Sequence, residues 1–432
     1  MRRRLGSAVR ILVALALGLA AGSLGGAAAW AQSVLPAADF IGGLWLDALR
    51  MTIVPLVVAL LVTGIASTAS AARAGGVAGR ALALMLGLLW LSAVLGWALG
   101  ELLWQVWPIP RESGAALRAA LATQTGEAPP APALIDFFRS VIPTNPVQAA
   151  AETQMLPLLV FTGLFAFATT RLPGPQRLTI LGLFKAVRDA MLVVIGWVLW
   201  IAPAGVLALG FAVGVRAGAS AAGALAHYIV SVTALGGAVW LLAYALAVVG
   251  GRARLGRFAR AVIPAQAVAV STQSSLASLP AMLDGARRLG VAAETAGVVL
   301  PMAVALFRCT GPAMNVGVAF YVAHWFGIEL TAAQVMAGIA LGATTTLGAV
   351  SLPGTITFVS SISPIALALG VPIEPLLLLV AVETLPDIMR TVGNVTMNVA
   401  VTRTVARWTG GLAGQGAPAP PDRPGPRAAH PG

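Results

Sequence analysis

Apolar stretches of about 20 residues recur along most of this chain, and that feature limits what it can fold into more than any other. Hydropathy places them near 8–30, 41–68, 78–104, 154–171, 188–214 and 222–250. Each is long enough to cross a bilayer as a helix, the one open-chain structure that satisfies its own backbone in hydrocarbon. The composition agrees, with 58% hydrophobic residues and only 10% charged, against about 25% charge in soluble domains. A water-soluble multidomain enzyme is excluded. The lone cysteine, Cys309, also removes any disulfide framework or cysteine-rich metal site.

Beyond residue 250 the pattern changes. The stretches 262–283, 291–326, 333–370 and 373–402 are too long, or too broken by Pro, Gly and Ser, to be plain single crossings. The reading that fits is an all-α membrane protein with eight transmembrane helices and two re-entrant helical hairpins, at 258–285 and 333–370. With both termini inside, this topology puts 20 of the 27 cations on the cytoplasmic side, five outside and two within the membrane. That is the positive-inside bias. The net charge of +12 therefore belongs to short gaps between spans and points to no nucleic-acid partner. Residues 108–133 read as a Pro/Ala/Gly-rich loop, and 408–432 as a disordered tail. Met1-Arg2-Arg3-Arg4 and the Ala29-Trp30-Ala31 site imitate a cleavable signal peptide, although the apolar stretch between them is long for one.

Both hairpins carry a hydroxyl-rich break. The first reads Ser271-Thr272-Gln273-Ser274-Ser275-Leu276-Ala277-Ser278-Leu279-Pro280, and the second Thr344-Thr345-Thr346-Leu347-Gly348-Ala349-Val350-Ser351-Leu352-Pro353-Gly354. Irregular backbone at membrane depth survives only where it is buried or lines a cavity. Matching breaks in two halves point to a transporter's binding site, with half-helix N-termini offering N–H groups to an anion. One such break alone reads more simply as Ser and Thr easing helix packing.

The last apolar stretch carries a polar stripe. Glu383, Asp387, Arg390, Asn394 and Asn398 are spaced 4, 3, 4 and 4 apart, with Thr391 on its flank. Ionisable groups at membrane depth are costly and mark substrate or ion paths. Arg390 presents a planar fork to a carboxylate, and Asp387 accepts from an ammonium group. Asn394 and Asn398 either donate to a carboxylate or lend carbonyl oxygens to a cation. The plainer alternative is an Asp387–Arg390 pair that only holds the bundle together. Arg308 is the other intramembrane charge. It stands between Pro301 and Gly311-Pro312, which break its span, and its partner is Glu383 or Asp387.

At roughly residues 8–407 the chain resembles the dicarboxylate/amino acid:cation symporters, the glutamate-transporter family. Val141-Ile142-Pro143-Thr144-Asn145-Pro146, followed by Gln154-Met155-Leu156-Pro157, is similar to the start of that family's fourth span. Ser274-Ser275 with Leu279-Pro280 resembles the first hairpin tip, and Leu347-Gly348 with Leu352-Pro353-Gly354 the second. Asp387-Ile388-Met389-Arg390-Thr391-Val392-Gly393-Asn394 resembles the last-span signature.

The resemblance implies a homotrimer in the cytoplasmic (inner) membrane, working by elevator-type alternating access. Residues 1–257 would be mainly scaffold, with the third span joining a transport domain at 258–407. It also implies roles: Asp387 for a substrate ammonium, Arg390 for a side-chain carboxylate, Thr391 and Asn394 for the main-chain carboxylate. Ser274, Ser275 and the backbone near Val350 and Gly354 would close over the ligand. The cargo would be a dicarboxylate or amino acid, with sodium or a proton as coupling ion and no organic cofactor.

The chain also departs from the family. Arg308-Cys309-Thr310-Gly311-Pro312 stands where relatives carry Asn-Met-Asp-Gly-Thr, and Asn398 where they carry Asp. Leu88 and Leu91 replace a Tyr and a Thr that help bind sodium, leaving Ser92. Most anionic sodium ligands are missing, so Arg308 is expected to supply fixed positive charge, with Glu383 and Asn398 as coupling or charge-compensating groups. Asn394 and Asn398 are the remaining candidate sodium ligands. Two other readings stay open: a degenerate transporter acting as a ligand sensor, and an anion channel. An enzyme is not expected, since none of the three histidines falls beside the stripe.

Overall fold

The computed structural model describes residues 7–26, 28–73, 76–109, 142–152, 154–218, 220–346 and 354–412. Among them the regular structure is helical; the one β feature is an isolated bridge between Val291 and Leu412. Most of the 108–133 loop, the tail beyond Leu412 and the second hairpin tip, Val350 included, lie outside the described residues.

The first half is built from α1 (Ser7–Gly25), α2 (Ala29–Arg50), α3 (Ile53–Arg73), α4 (Gly76–Val106), α5 (Pro146–Ala151), α6 (Met155–Thr169), α7 (Gly174–Ala217) and α8 (Ser220–Val249). Helices α1, α2 and α3 pack on α7. The α1–α7 seam is close because glycines face one another: a Cβ at Gly214 would stand 2.6 Å from the Leu19 carbonyl oxygen. Small residues let helix backbones approach where apolar burial gives no preference over lipid.

Helix α7 runs 44 residues, well beyond the expected span at 188–214. Hydropathy marks only its apolar part. The helix continues through Arg177, Lys185 and Arg188 because no further proline follows Pro173-Gly174-Pro175 until Pro203, which the helix accommodates. Four stretches are long and apolar enough to cross a bilayer on length and composition alone: Gly76–Val106, Gly174–Arg216, Ala222–Val249 and Ala293–Phe326. Shorter apolar helices add to them, Val13–Gly25, Ile53–Ala66 and Pro157–Thr169 among others. The chain is a multi-pass membrane protein.

The second half holds the broken elements. Helix α9 (Leu255–Thr272) stops where Gln273 turns into the left-handed region at φ 51°, and α10 (Leu279–Arg288) starts with Pro280 in its first turn. Helices α11 (Ala293–Leu306) and α12 (Thr310–Phe326) are one apolar stretch interrupted at Phe307-Arg308-Cys309. Pro312 sits in the first turn of α12, where the missing N–H costs nothing. Helix α13 (Ala332–Thr345) opens on a capping box between Thr331 and Gln334. Helix α14 (Gly354–Ala368) follows the second tip.

The stretch 373–402 does not form one helix. It divides into α15 (Glu374–Leu379) and α16 (Thr384–Thr409). Pro386 lies in the first turn of α16, so the helix begins there and Glu383 becomes its N-cap. Helix α8 lies along α16, and α4 along α12. Gly96 makes the second approach possible, since a Cβ there would overlap the Ala313 carbonyl.

Candidate functional site

Three interruptions converge on one region. The first hairpin tip touches the start of α16, where the Gln273 amide donates to the Thr384 carbonyl at 3.3 Å. The approach to the second tip touches the α11–α12 break, where Thr346 Cγ2 would lie 2.7 Å from a Cβ on Gly311. The break is bound to α16 in turn: the Thr310 N–H and hydroxyl both donate to Asn394 Oδ1, at 3.0 and 2.8 Å, and the hydroxyl also reaches the Arg390 carbonyl. On the far side, the Ser92 hydroxyl of α4 donates to the Cys309 carbonyl and accepts from the Ala313 N–H. The groups freed by breaking the helix are therefore met by side chains from α4 and α16.

The ionisable groups sit within this frame. Among the described residues the buried side chains that carry Arg, Lys, Asp or Glu are four: Arg308 at 8% exposure, Glu383 at 0%, Asp387 at 1% and Arg390 at 7%. Arg390 Nη2 donates to Glu383 Oε1 at 2.8 Å and Nη1 to Asn315 Oδ1 at 2.8 Å. Its Nε lies 3.5 Å from Asp387 Oδ1. Helical side chains point toward the N-terminus, which is how Arg390 reaches back along two turns to Glu383. The other Glu383 oxygen accepts from the Tyr228 hydroxyl at 3.1 Å. Arg308 lies within electrostatic reach of both Asp387 and Arg390.

The expected stripe is thus assembled, with its pairing redrawn. Arg390 makes its short contact with Glu383, the longer one with Asp387. Thr391 is buried and its hydroxyl donates to the Asp387 carbonyl. Ser275 is buried at the first tip, and its hydroxyl has no partner among the described residues. Ser274 is spent on the turn itself: its Oγ accepts from the Ala277 N–H and its carbonyl from the Ser278 hydroxyl. Gly354 begins α14, beside the undescribed tip.

Other buried polar atoms there lack a partner among the described residues: Thr384 Oγ1, Asn394 Nδ2, and both the Nδ2 and Oδ1 of Asn398. A fully buried amide with neither end satisfied, as at Asn398, is costly, and the unpartnered groups are spread along α16 from Thr384 to Asn398.

Sequence reasoning missed Tyr228 and Asn315 as members of the site, and named Ser92 only as what is left of a sodium-binding set. Asn315 stands within an apolar run of α12, and that isolation is a usable signal. Tyr228 follows His227 on α8 with nothing in its spacing to mark it.

A helical membrane protein with opposed charges buried between broken helices is laid out as a solute transporter. The chain belongs to the sodium:dicarboxylate symporter family, whose model matches residues 8–408. These are transporters and not enzymes. The proton/sodium-glutamate symport protein of Bacillus subtilis is 26% identical, over 95% of this chain and 94% of its own length. The proton/glutamate-aspartate symporter of Escherichia coli is 25% identical, over 85% and 84%. The C4-dicarboxylate transport protein of Laribacter hongkongensis is 26% identical, over 86% and 84%.

Proposed function

We propose that this protein is a secondary active symporter that carries a dicarboxylate or an acidic amino acid across the cytoplasmic membrane. The observation that carries the reading is Arg390: a buried fork between Glu383 and Asn315, beside Asp387 and the unpartnered amides of Asn394 and Asn398. A guanidinium recognises a carboxylate, and Asp387 recognises an ammonium group. Thr391 and Asn394 contribute polar groups to the main-chain carboxylate, while Ser275 and the backbone at Val350 and Gly354 close over it from the tips.

Eight spans, two hairpins and cytoplasmic termini suit the charge bias. Residues 1–257 apart from α4 serve mainly as scaffold, residues 258–407 with α4 as the moving domain, and a homotrimer in lipid as the working assembly. In an elevator movement the first tip, the break and the last helix travel together, which the Gln273–Thr384 and Thr310–Asn394 bonds favour.

A proton as the coupling ion is supported by what surrounds the break. Asn394 Oδ1 already accepts twice from Thr310, and the Arg308 guanidinium stands at the same break. This neutral, cation-bearing donor set does not suit sodium, although Asn398 keeps a spare oxygen. Arg308 takes the place of a mobile cation and cannot leave, so coupling falls to a proton.

The test is uptake of labelled aspartate, glutamate and succinate into liposomes, under an inward sodium gradient and separately under an inward proton gradient. Proton-driven uptake is the expected result. Uptake that requires sodium would overturn the Arg308 reading, and ligand-dependent binding without any transport would support a sensor instead.

A further inference from the structure

The four buried charges cancel. Arg308 and Arg390 are positive, and Glu383 and Asp387 are negative when ionised. The first tip, Gln273 to Ser278, contains no ionisable side chain, and neither does the second, Leu347 to Pro353. With all four ionised the site carries no net charge, and an unbalanced charge in a medium of low polarity costs several kcal/mol. A zwitterion with a second carboxylate, such as aspartate, brings a net negative charge. Something must then bring a positive one.

We propose that Glu383 is the group that takes a proton when an anionic solute binds, and that Tyr228 is the positioning residue that holds it ready. This rests on the reading of the site as one for a carboxylate solute. Glu383 is singled out over Asp387 by its contacts. It is the carboxylate on Arg390 Nη2 at 2.8 Å, so it competes directly with a solute carboxylate for the fork. Asp387 is farther from Arg390, at 3.5 Å, and lies within reach of Arg308, which keeps its charge matched when Glu383 is neutral.

A proton on Glu383 removes the nearer counter-charge from Arg390 and releases Nη2 to the solute carboxylate, while Nη1 stays on Asn315 and Nε beside Asp387. Deprotonation restores the Glu383–Arg390 pair and expels the anion. Proton and anion thus bind together or leave together, which is the condition for symport.

The groups facing Glu383 can be named element by element. From α16 come Arg390 and Asp387, from α8 Tyr228, and from α12 Asn315 by way of Arg390. Arg308 acts from the break through Asp387 and Arg390. Behind Tyr228 stands Tyr321, edge-to-face at 5.5 Å, whose hydroxyl is 3.1 Å from His227 Nδ1. His227 Nε2 in turn faces the Trp107 carbonyl at 3.1 Å, at the end of α4.

The experiment uses the purified full chain in detergent, with aspartate as the probe. Proton uptake on binding is read with an indicator dye in weak buffer, and affinity is followed against pH. In the wild type, one proton enters per aspartate, and affinity weakens by about tenfold per pH unit on the alkaline limb. Glu383→Gln carries a permanent neutral group there, so binding takes up no proton and its pH dependence flattens. Tyr228→Phe removes a donor from the carboxylate, so the midpoint of proton uptake moves to higher pH. A purely structural role for Tyr228 would weaken binding at every pH alike.

A second readout needs no solute. Infrared pH-difference spectra of the empty protein should show a protonated-carboxyl band that Glu383→Gln abolishes and Asp387→Asn keeps. If aspartate binds with the same proton uptake in the wild type and Glu383→Gln, the Glu383 assignment fails and the solute reading stands. If no carboxylate solute binds while the band behaves as stated, the reverse holds. A wild type that binds aspartate without taking up a proton also overturns the assignment.

Discussion

Asn394 Oδ1 accepts two hydrogen bonds from Thr310, one from the backbone N–H at 3.0 Å and one from the hydroxyl at 2.8 Å. Breaking the α11–α12 stretch frees that N–H, and an amide 84 residues away in sequence satisfies it. The break and the last helix are thereby one mechanical piece.

Asn394→Ala leaves the Thr310 N–H buried without an acceptor, a loss of about 1–3 kcal/mol. The thermal midpoint of the detergent-solubilised protein should fall, and aspartate uptake with it. A midpoint equal to that of the wild type would show that the bond does not hold the break.

Arg390→Lys keeps the charge and loses the fork. An ammonium group cannot meet Asn315 and Glu383 in the planar geometry that the guanidinium supplies. Uptake of a dicarboxylate should drop about tenfold or more, roughly 1.4 kcal/mol. Equal uptake at saturating and limiting solute would remove Arg390 from the binding site.

Arg308→Ala leaves two buried carboxylates against one guanidinium. Breaking a buried charge set typically costs about 3–5 kcal/mol. The double variant Arg308→Ala/Asp387→Asn restores the balance and should melt higher than Arg308→Ala alone. Additive losses across that cycle would show that the two groups are not coupled.

Gly96→Ala forces a methyl group into the Ala313 carbonyl, pushing α4 away from α12 where Ser92 meets Cys309. Overpacking of this kind costs about 1–3 kcal/mol. Gly79→Ala, on the same helix with open space around it, is the control and should melt like the wild type.

Asn398→Leu works in the opposite sense. It replaces an amide with no partner among the described residues by an apolar side chain of similar size, so the midpoint should stay level or rise. Transport should fall, because an unsatisfied group of this kind is kept for function and not for stability. A lower midpoint with unchanged transport would make Asn398 structural.

The sequence by itself determined the helical membrane fold, because the bilayer demands runs of apolar residues that hydropathy reads directly. It also located the breaks, since Gly311-Pro312 and the Ser-rich tip are local interruptions of a local pattern; Pro301, expected to break the same span, lies inside α11 and does not interrupt it. The 4, 3, 4, 4 spacing put Glu383, Asp387, Arg390, Asn394 and Asn398 on one face, as a helix of 3.6 residues per turn requires.

Tertiary structure alone decided which partner each of these groups takes. Arg390 makes its short contact with Glu383, seven residues back, and the longer one with Asp387, three residues back; Glu383 stands at the N-cap of α16 and also meets Tyr228 on α8. Asn315, Ser92 and Thr310 joined from elements far apart in sequence, through helix packing that no periodicity encodes. Ser274 was drawn into capping its own turn while Ser275 faced inward. Periodicity fixes which face a side chain occupies; only the packing of other helices against that face fixes what it meets.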